Sequence, residues 1–212
     1  MLDSEKEYYK NIDHTNDDTR ISLFVDDLHN ANEMLSSLDK CVTIFGGSRI
    51  LPTSKTYKQV EKLSNELAKK GFAIMTGGSG GVMEAANKGA NTSIGLRIKL
   101  PNEQKTNPYV KEEVLFHYFS SRKMSFIKHS NAFVCCPGGF GTLDELFEIV
   151  CLMQTKKIDP KPIILFGSEY FSHLKPFFSM LIEEQHIKKE HLDLFFITDS
   201  IEESVAYIIN NI

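Results

Sequence analysis

One stretch decides the fold: Ala132-Phe-Val-Cys-Cys-Pro-Gly-Gly-Phe-Gly-Thr142, an apolar run of strand length that leads into a glycine-rich turn and then into a helical pattern. The same order occurs twice earlier in the chain. Cys41 to Phe45 leads into Gly46-Gly-Ser48, and Phe72 to Met75 leads into Gly77-Gly-Ser-Gly-Gly81. Because short β-branched and aromatic runs favour strands and glycine favours tight turns, the sequence predicts three strand–turn–helix units.

In the rest of the chain, short apolar runs typical of strands continue to alternate with apolar residues at helical spacing. Further strands are predicted over Ser93 to Ile98, Val114 to Phe119, Pro162 to Phe166 and Phe195 to Thr198. Helices are predicted over residues 20–38, 57–70, 82–88, 121–130, 142–154, 170–185 and 200–210. Strands that alternate with helices form parallel βαβ units. We therefore expect an α/β fold with a doubly wound parallel sheet of about six or seven strands and helices on both faces.

The length of 212 residues suits one compact unit. Residues 1–19 are rich in Asp, Asn, Lys and Tyr without a clear period, so we expect a mobile N-terminal arm. Residues 20–212 are expected to form a single nucleotide-binding catalytic domain, and its first helix is expected to dock ahead of the first strand.

Composition excludes several classes of partner. The formal net charge is -4, without the basic excess of a protein that tracks a nucleic acid, so no nucleic-acid partner is expected. No apolar run approaches membrane length and the first residues are polar, so we expect no membrane partner and a cytoplasmic protein. The four cysteines lie in apolar stretches without a CxxC pair, which favours reduced core thiols.

The three glycine turns are expected to meet at the carboxyl edge of the sheet. Ligands of doubly wound folds bind at that edge, and glycine lets backbone N–H groups approach an anion closely. Each turn alone is also explained as a tight connection between a strand and a helix. Three such turns at one edge favour a phosphate cradle.

Known cofactor motifs are incomplete. No G-x-x-x-x-G-K-[ST] string occurs, and Met83 and Asp144 stand where the third glycine of G-x-G-x-x-G is required. A P-loop ATPase and a dinucleotide-dependent dehydrogenase are therefore disfavoured. His186 and His191 are five positions apart, which places them on different helix faces, so no metal site is predicted.

Charged residues lie on both sides of the third glycine turn. Arg122 and Lys123 open a predicted helix, where positive charge opposes the helix dipole unless an anion binds nearby. Glu145 follows the third glycine turn. Thr142-Leu-Asp-Glu145 also matches a capping box, with Thr142 as the N-cap and Glu145 returning to its N–H, so a capping role for Glu145 stays open.

Arg122-Lys123 followed by Pro137-Gly-Gly-Phe-Gly-Thr-Leu-Asp-Glu145 resembles the paired R-K and PGGxGTxxE signature of the Lonely Guy family. These are nucleoside 5′-monophosphate phosphoribohydrolases that are often mislabelled as lysine decarboxylases. The resemblance extends from about Val42 to Tyr170. It implies a Rossmann-like fold, a homodimer or higher oligomer, no cofactor, and cleavage of the bond between a purine base and ribose 5-phosphate. The longer bacterial subgroup is the better match, so the substrate is a cytokinin riboside monophosphate or AMP.

The resemblance also implies the site residues. Arg122 and Glu145 would be the catalytic pair. The substrate and its phosphate would be bound by Gly47, Ser48, Gly77, Gly78, Gly80, Gly81, Glu84, Lys123, Gly138, Gly139, Gly141 and Thr142. Breaking an N-glycosidic bond builds positive charge on the sugar and negative charge on the base, so a carboxylate and a cation are the groups required.

Several alternatives remain open from the sequence. A nucleotide-binding or cofactor-carrying protein could use the same glycine turns without turnover. A lysine decarboxylase needs a lysine that forms a Schiff base, and no lysine is marked for that role. Lys123 and Arg49 are explained equally well as exposed residues or as substrate contacts. The helix from Leu143 to Met153 is either an interface between copies or internal packing.

Overall fold

The computed structural model describes residues 16–101 and 105–212. Most of the predicted N-terminal arm, residues 1–15, lies outside the described residues. The first described helix begins at Asp17, ahead of the start predicted for it at residue 20, and the division between arm and domain stays a prediction. Asn16 caps that helix by accepting a hydrogen bond from the Asp18 N–H at 3.2 Å. Two acidic side chains in the first turn stabilise the helix by their attraction to the positive end of its dipole.

Strands and helices alternate through the described chain. The strands are β1 (Cys41–Phe45), β2 (Ala73–Thr76), β3 (Ser93–Ile98), β4 (Glu112–Phe116), β5 (Ala132–Cys135), β6 (Ile163–Phe166) and β7 (Phe196–Thr198). The helices are α1 (Asp17–Leu35), α2 (Lys55–Lys69), α3 (Val82–Gly89), α4 (Phe119–His129), α5 (Phe140–Gln154), α6 (Ser168–Ser172), α7 (Lys175–Glu183) and α8 (Ile201–Asn210). A 3₁₀ helix spans Lys189–Leu194.

The seven strands form one sheet in the order β4-β3-β2-β1-β5-β6-β7, and every pair is parallel. The chain starts at the centre with β1, winds outward through β2, β3 and β4, and then returns to the other side of β1 with β5. This reversal beside β1 is the point at which ligands bind in doubly wound sheets. The predicted fold class is confirmed.

Alternate residues of the central strands pack on opposite faces of the sheet. On one face, Cys41 and Phe45 of β1 pack with residues of α1, α4 and α5, such as Leu35, Phe126 and Leu146. On the other face, Val42 and Ile44 pack with residues of α2, α3 and α8. Both faces of β1 are therefore covered, which explains why the strand reads as a continuous buried run.

For two of the predicted elements that differ in extent from the observed ones, the structure shows the physical reason. The single helix predicted over 170–185 is two helices, α6 and α7. Pro176 lies in the first turn of α7, where its missing N–H costs nothing, whereas inside one long helix it would remove a hydrogen bond. The strand predicted from Val114 to Phe119 ends at Phe116, because the next backbone N–H groups bind a side chain of α1.

Within residues 16–101 and 105–212, no helix has both the length and the apolar character that crossing a bilayer requires.

Candidate active site

The three glycine turns follow β1, β2 and β5, which are adjacent strands, so they lie together at the carboxyl edge of the sheet. Backbone hydrogen bonds join them. The Gly47 N–H donates to the Pro137 carbonyl at 2.9 Å, and the Val82 N–H donates to the Gly47 carbonyl at 3.0 Å. A cavity of about 260 Å³ opens between the turns. Its lining comprises Phe45, Gly46, Gly47, Ser48, Gly77, Gly78, Ser79, Met83, Arg97, Ile98, Leu100, Lys105, Phe119, Arg122, Gly139, Gly141, Thr142 and Glu145.

The glycines of these turns fall into two groups, of which only one is required by close packing. Gly81 has a φ of +66°, and a Cβ at this position would collide with the Gly47 carbonyl oxygen. A side chain at Gly138 would collide with Thr142. Gly139 and Gly141 differ, because a Cβ at either would meet no atom within 4 Å. The first pair lets the loops pack closely, whereas the second pair leaves space in which a ligand can approach the backbone.

The start of α5 corrects the predicted capping box. Gly139 is the N-cap and Phe140 is the first helical residue, so Thr142 lies inside the first turn and is not the cap. Its side chain is buried against Gly138. The first N–H groups of a helix have no intrahelical acceptor, and here they lie directly after Gly139 and include that of Gly141, the two open glycines. The start of α5 therefore combines free N–H donors with the positive end of a helix dipole, as in anion sites.

Arg122 and Glu145 meet at this cavity. Arg122 Nη2 of α4 donates to Glu145 Oε1 of α5 at 3.1 Å, and the two side chains are only 10% and 12% exposed. The Phe119 and Phe126 rings lie 5.1 and 5.5 Å from the guanidinium carbon. Among the described residues, Arg122 Nε has no hydrogen-bond partner. The guanidinium is therefore held by one carboxylate and two aromatic rings, and its Nε–H group has no acceptor among the described residues.

Burial controls the charge of this pair. It raises the pKa of Glu145 from 4.5 to about 7, and the nearby Arg122 charge opposes that rise without cancelling it. Burial also lowers the pKa of Arg122 below its ordinary value, while the Glu145 charge opposes that fall. A guanidinium stays protonated in proteins, so Arg122 acts as a cation. Glu145 can therefore take up and release a proton near neutral pH.

The structure brings nine of the predicted site residues to the cavity lining: Gly47, Ser48, Gly77, Gly78, Arg122, Gly139, Gly141, Thr142 and Glu145. The other five lie beside it. Gly80 and Gly81 shape the start of α3, and the Gly138 carbonyl accepts a hydrogen bond from the Tyr170 hydroxyl at 2.7 Å.

Glu84 and Lys123, the two charged residues outside the lining, have partners of their own. Glu84 accepts a hydrogen bond from the Tyr57 hydroxyl at 2.9 Å. Lys123 forms ion pairs with Asp144 at 3.0 Å and Glu148 at 2.7 Å, and its side chain is largely buried. Their substrate contacts therefore remain predictions. Arg49 is exposed and lies outside the lining.

Two basic lining residues were missed by the sequence argument. Arg97 lies on β3 with its Nη1 3.4 Å from Glu113 Oε1, and its side-chain stem approaches Gly78. Lys105 follows in the connection from β3 to β4. With Arg122, three basic side chains and the carboxylate of Glu145 line the described part of the cavity. The excess of positive charge suits an anionic ligand. A charged residue inside an otherwise apolar strand was the available signal for Arg97.

A buried amide network fixes the second glycine turn. The Asn107 N–H donates to the Gly78 carbonyl at 2.9 Å, and Asn107 Nδ2 donates to Asn87 Oδ1 at 2.9 Å. Asn87 Oδ1 also accepts from the Thr76 hydroxyl at 2.7 Å, at the end of β2. This network ties the segment after Lys105 to the turn that faces it. Neutral amides at such separations leave no local pattern in a sequence.

The cysteines differ in burial, and burial controls the reactivity of a thiol. Burial raises the pKa of Cys41 and Cys136 to about 12, so these thiols are not nucleophiles at neutral pH. The expectation of four core thiols is wrong for Cys151, which is exposed on α5. No group of three or more His, Cys, Asp or Glu side chains able to hold a metal ion occurs in residues 16–101 and 105–212.

Comparison with known proteins agrees with this geometry. A family model described as "Possible lysine decarboxylase" matches residues 75–208, more than half of the chain. The cytokinin riboside 5′-monophosphate phosphoribohydrolase LOG3 of Arabidopsis thaliana is 32% identical over 162 residues, which cover 73% of this chain and 74% of that protein. The chain belongs to the Lonely Guy family. The resemblance inferred from the R-K and PGGxGTxxE motifs is confirmed.

Solved structures place this Lonely Guy family member in a wider fold group. The molybdenum cofactor binding protein of Rippkaea orientalis matches with a TM-score of 0.60 and 24% identity, covering 81% of this chain and 96% of that protein. The molybdenum cofactor carrier protein of Chlamydomonas reinhardtii matches with a TM-score of 0.59 and 20% identity over 81% and 96% of the two chains. At these identities the likeness shows a shared fold.

Proposed function

We propose that this protein hydrolyses the N-glycosidic bond of a purine nucleoside 5′-monophosphate, releasing the free base and ribose 5-phosphate. The observation that carries the proposal is the buried contact of 3.1 Å between Arg122 and Glu145 at a cavity lined by the three glycine turns. A binding site for an anion needs cations and N–H donors, but it gains nothing from a buried carboxylate. The names of the relatives point to the same class of reaction.

The phosphate is proposed to bind at the start of α5. Gly139 and Gly141 leave open space there, and the first N–H groups of the helix supply donors. Arg97 and Lys105 add positive charge to the lining of the same cavity. Binding energy from the phosphate, which takes no part in bond cleavage, holds the sugar beside Glu145.

The bond cleavage is proposed to use water and the Arg122–Glu145 pair. Ionised Glu145 accepts a proton from a water molecule whose oxygen bonds to C1′ of the ribose. The bond between C1′ and the base nitrogen breaks, and its electron pair leaves with the base. The base takes up a proton from solvent, and Glu145 returns the proton of the attacking water to solvent, so that the site is restored. Arg122 stabilises the negative charge that develops during departure of the base, because it stays protonated and acts through its charge and hydrogen bonds.

The pH dependence follows from Glu145. Because the proposed base works only when ionised and its pKa is about 7, kcat/KM should rise about tenfold per pH unit below 7 and level off above it. An initial-rate profile from pH 5 to 9 checks this. The affinity of the Glu145→Gln variant for AMP, measured over the same range, separately reports titration of the substrate phosphate. A profile of kcat/KM that is flat from pH 5 to 8 contradicts the role of Glu145.

The stability of the protein should show the opposite trend. A folded-state pKa above the unfolded value means that the folded protein holds the Glu145 proton more tightly. The contribution of Glu145 to stability is therefore complete below about pH 4.5 and is lost as the pH rises through about 7. The burial that raises the pKa of Glu145 therefore lowers the free energy of unfolding when the carboxyl group is ionised.

The reaction itself is tested by incubating the purified protein with AMP and with isopentenyladenosine monophosphate. Chromatography should show release of free adenine or free cytokinin, and the ratio of the two kcat/KM values identifies the better substrate. A nucleotide carrier of the same fold would bind AMP and leave it intact. Tight binding without release of base would overturn the hydrolase proposal.

We also propose that α5 pairs two copies of the chain. Phe140, Phe147 and Cys151 lie on one exposed face of α5, and Phe140 is 93% exposed. Leu146 and Ile149 on the opposite face pack in the core. The helix therefore combines internal packing with an uncovered apolar stripe, which is typical of an interface. Light scattering should give at least twice the chain mass, and replacing both phenylalanines by Ser should lower it. A monomeric native protein contradicts the proposal.

A further inference from the structure

The helix that carries Arg122 begins without a capping side chain of its own. Tyr118 is the N-cap of α4 and makes no side-chain cap hydrogen bond. The N–H groups at a helix start need acceptors from elsewhere. Asp27 of α1, 90 residues before His117 in sequence, supplies them.

Four donor groups of one short segment converge on the Asp27 carboxylate. Oδ2 accepts the N–H of His117 at 2.9 Å, the N–H of Tyr118 at 3.2 Å and the hydroxyl of Ser121 at 2.6 Å. Oδ1 lies 2.8 Å from the His117 ring atom Nδ1. Asp27 is 1% exposed and Ser121 is fully buried. The carboxylate therefore accepts hydrogen bonds both from the backbone that leads into α4 and from the first turn of the helix.

A buried carboxylate is costly unless hydrogen bonds and positive potential compensate for lost hydration. Here the N–H groups and the positive end of the α4 dipole provide that compensation. The contacts are also directional, because both oxygens are engaged. An apolar residue at position 27 could pack α1 against α4, but it could not fix where α4 begins or how the helix is rotated.

The position of α4 matters because Ser121 is followed directly by Arg122. A helix moves as a nearly rigid unit, so a change at its first turn is transmitted to Arg122 without attenuation. We propose that Asp27 is a positioning residue that fixes α4 so that Arg122 Nη2 stays within hydrogen-bond distance of Glu145 Oε1. The inference rests on the proposed function of that pair.

The expected effect of Asp27→Ala is a fall in kcat of about 10- to 100-fold with KM changed less than about threefold. A misplacement of about 1 Å at a reacting group can cost ~10²-fold, whereas the phosphate site at the start of α5 is not contacted by Asp27. Asp27→Asn keeps one acceptor oxygen and should recover part of the rate. Ser121→Ala removes the hydroxyl contacts with Asp27 at 2.6 Å and with the Tyr118 carbonyl at 2.9 Å but keeps the Asp27 carboxylate, so it keeps the test open if Asp27→Ala does not fold.

Two controls separate positioning from general loss of stability. Asp26→Ala removes the neighbouring acid, which is exposed on the same helix, and should leave kcat unchanged. Val205→Ala creates a small cavity under α8 on the other face of the sheet. If this variant melts as early as Asp27→Ala but keeps its kcat, lowered stability does not explain the loss of rate.

A second readout is independent of turnover. Carbon-13 NMR of the Glu145 side-chain carboxyl follows its titration in the native protein and in the variants. Arg122 is the main charge that lowers the pKa of Glu145, so loosening their contact in Asp27→Ala should raise that pKa above its native value. The titration in Asp26→Ala should match that of the native protein.

The outcomes separate the two proposals. A native protein that releases no base from any purine nucleotide overturns the proposed function, and the carboxyl titration then still decides the role of Asp27. A fall in kcat together with a raised pKa of Glu145 supports positioning. An Asp27→Ala protein that is folded and less stable, with native kcat and native Glu145 titration, reduces Asp27 to a structural residue and overturns the inference.

Discussion

Replacement of Glu145 by Gln should lower kcat by ~10²- to 10⁴-fold, the range expected for loss of a general base. Gln has the same shape and keeps a carbonyl oxygen that can accept the hydrogen bond of 3.1 Å from Arg122. The substitution therefore removes the ability to take up a proton while leaving the contact and the packing largely intact. Single-turnover assays with AMP and thermal melts of the same preparations measure the two effects separately.

The structure makes this test sharper than the sequence did. Glu145 does not cap α5, so the substitution should not carry the loss of about 0.5 to 2 kcal/mol that follows removal of a helix cap. Asp144→Asn is the matched control, because it neutralises the adjacent and more exposed acid. That variant should keep its rate within a few-fold of the native protein. Near-native turnover by a folded Glu145→Gln variant would refute the catalytic role.

Replacement of Arg122 by Lys should lower kcat/KM by ~10²- to 10³-fold, similar to removing one charged donor that stabilises a developing anion. Lysine keeps the positive charge but lacks the planar set of N–H donors of a guanidinium. Its side chain is also shorter than that of Arg122, whose guanidinium contacts the rings of Phe119 and Phe126. The contact with Glu145 weakens as a result. Since that contact lowers the pKa of Glu145, the pH midpoint of the rate should also move above about 7.

A shift of the pH midpoint of the rate would distinguish a catalytic role of Arg122 from a role in substrate binding alone. Arg20→Lys, at an exposed position on α1, is the control and should change neither quantity. Loss of affinity alone would raise KM and leave both kcat and the pH midpoint at their native values. That pattern in Arg122→Lys would show that Arg122 only holds the substrate. A larger truncation is less informative, because removing one partner of a buried ion pair costs about 3–5 kcal/mol of stability.

The parallel sheet was predictable because its central strands β1, β2, β5 and β6 are buried on both faces. Runs such as Cys41–Phe45 are short, apolar and followed by glycine, so neither their type nor their direction was ambiguous. The position of the site followed from the same runs, because parallel strands bring their following turns to one edge. Motif spacing then selected Arg122 and Glu145, which the structure places in contact.

The boundaries of helices were harder to predict, because local patterns compete. Thr142-Leu-Asp-Glu145 has the form of a capping box, yet α5 begins at Phe140 with Gly139 as its N-cap. Asp27, Asn107 and Arg97 were missed for a different reason. Their partners are distant in sequence or belong to another strand, so their neighbours in the chain do not identify those partners. The raised pKa of Glu145 likewise depends on burial that only the folded chain creates.

The central claim is that water attacks the ribose at C1′ beside Glu145 and Arg122. Hydrolysis of AMP in water enriched in oxygen-18, quenched within one turnover and followed by mass spectrometry, tests it most directly. The account predicts free adenine and ribose 5-phosphate that carries the label at C1, with no label in the phosphate. Labelled inorganic phosphate with intact adenosine, or adenine release that is equally fast in Glu145→Gln, would contradict it.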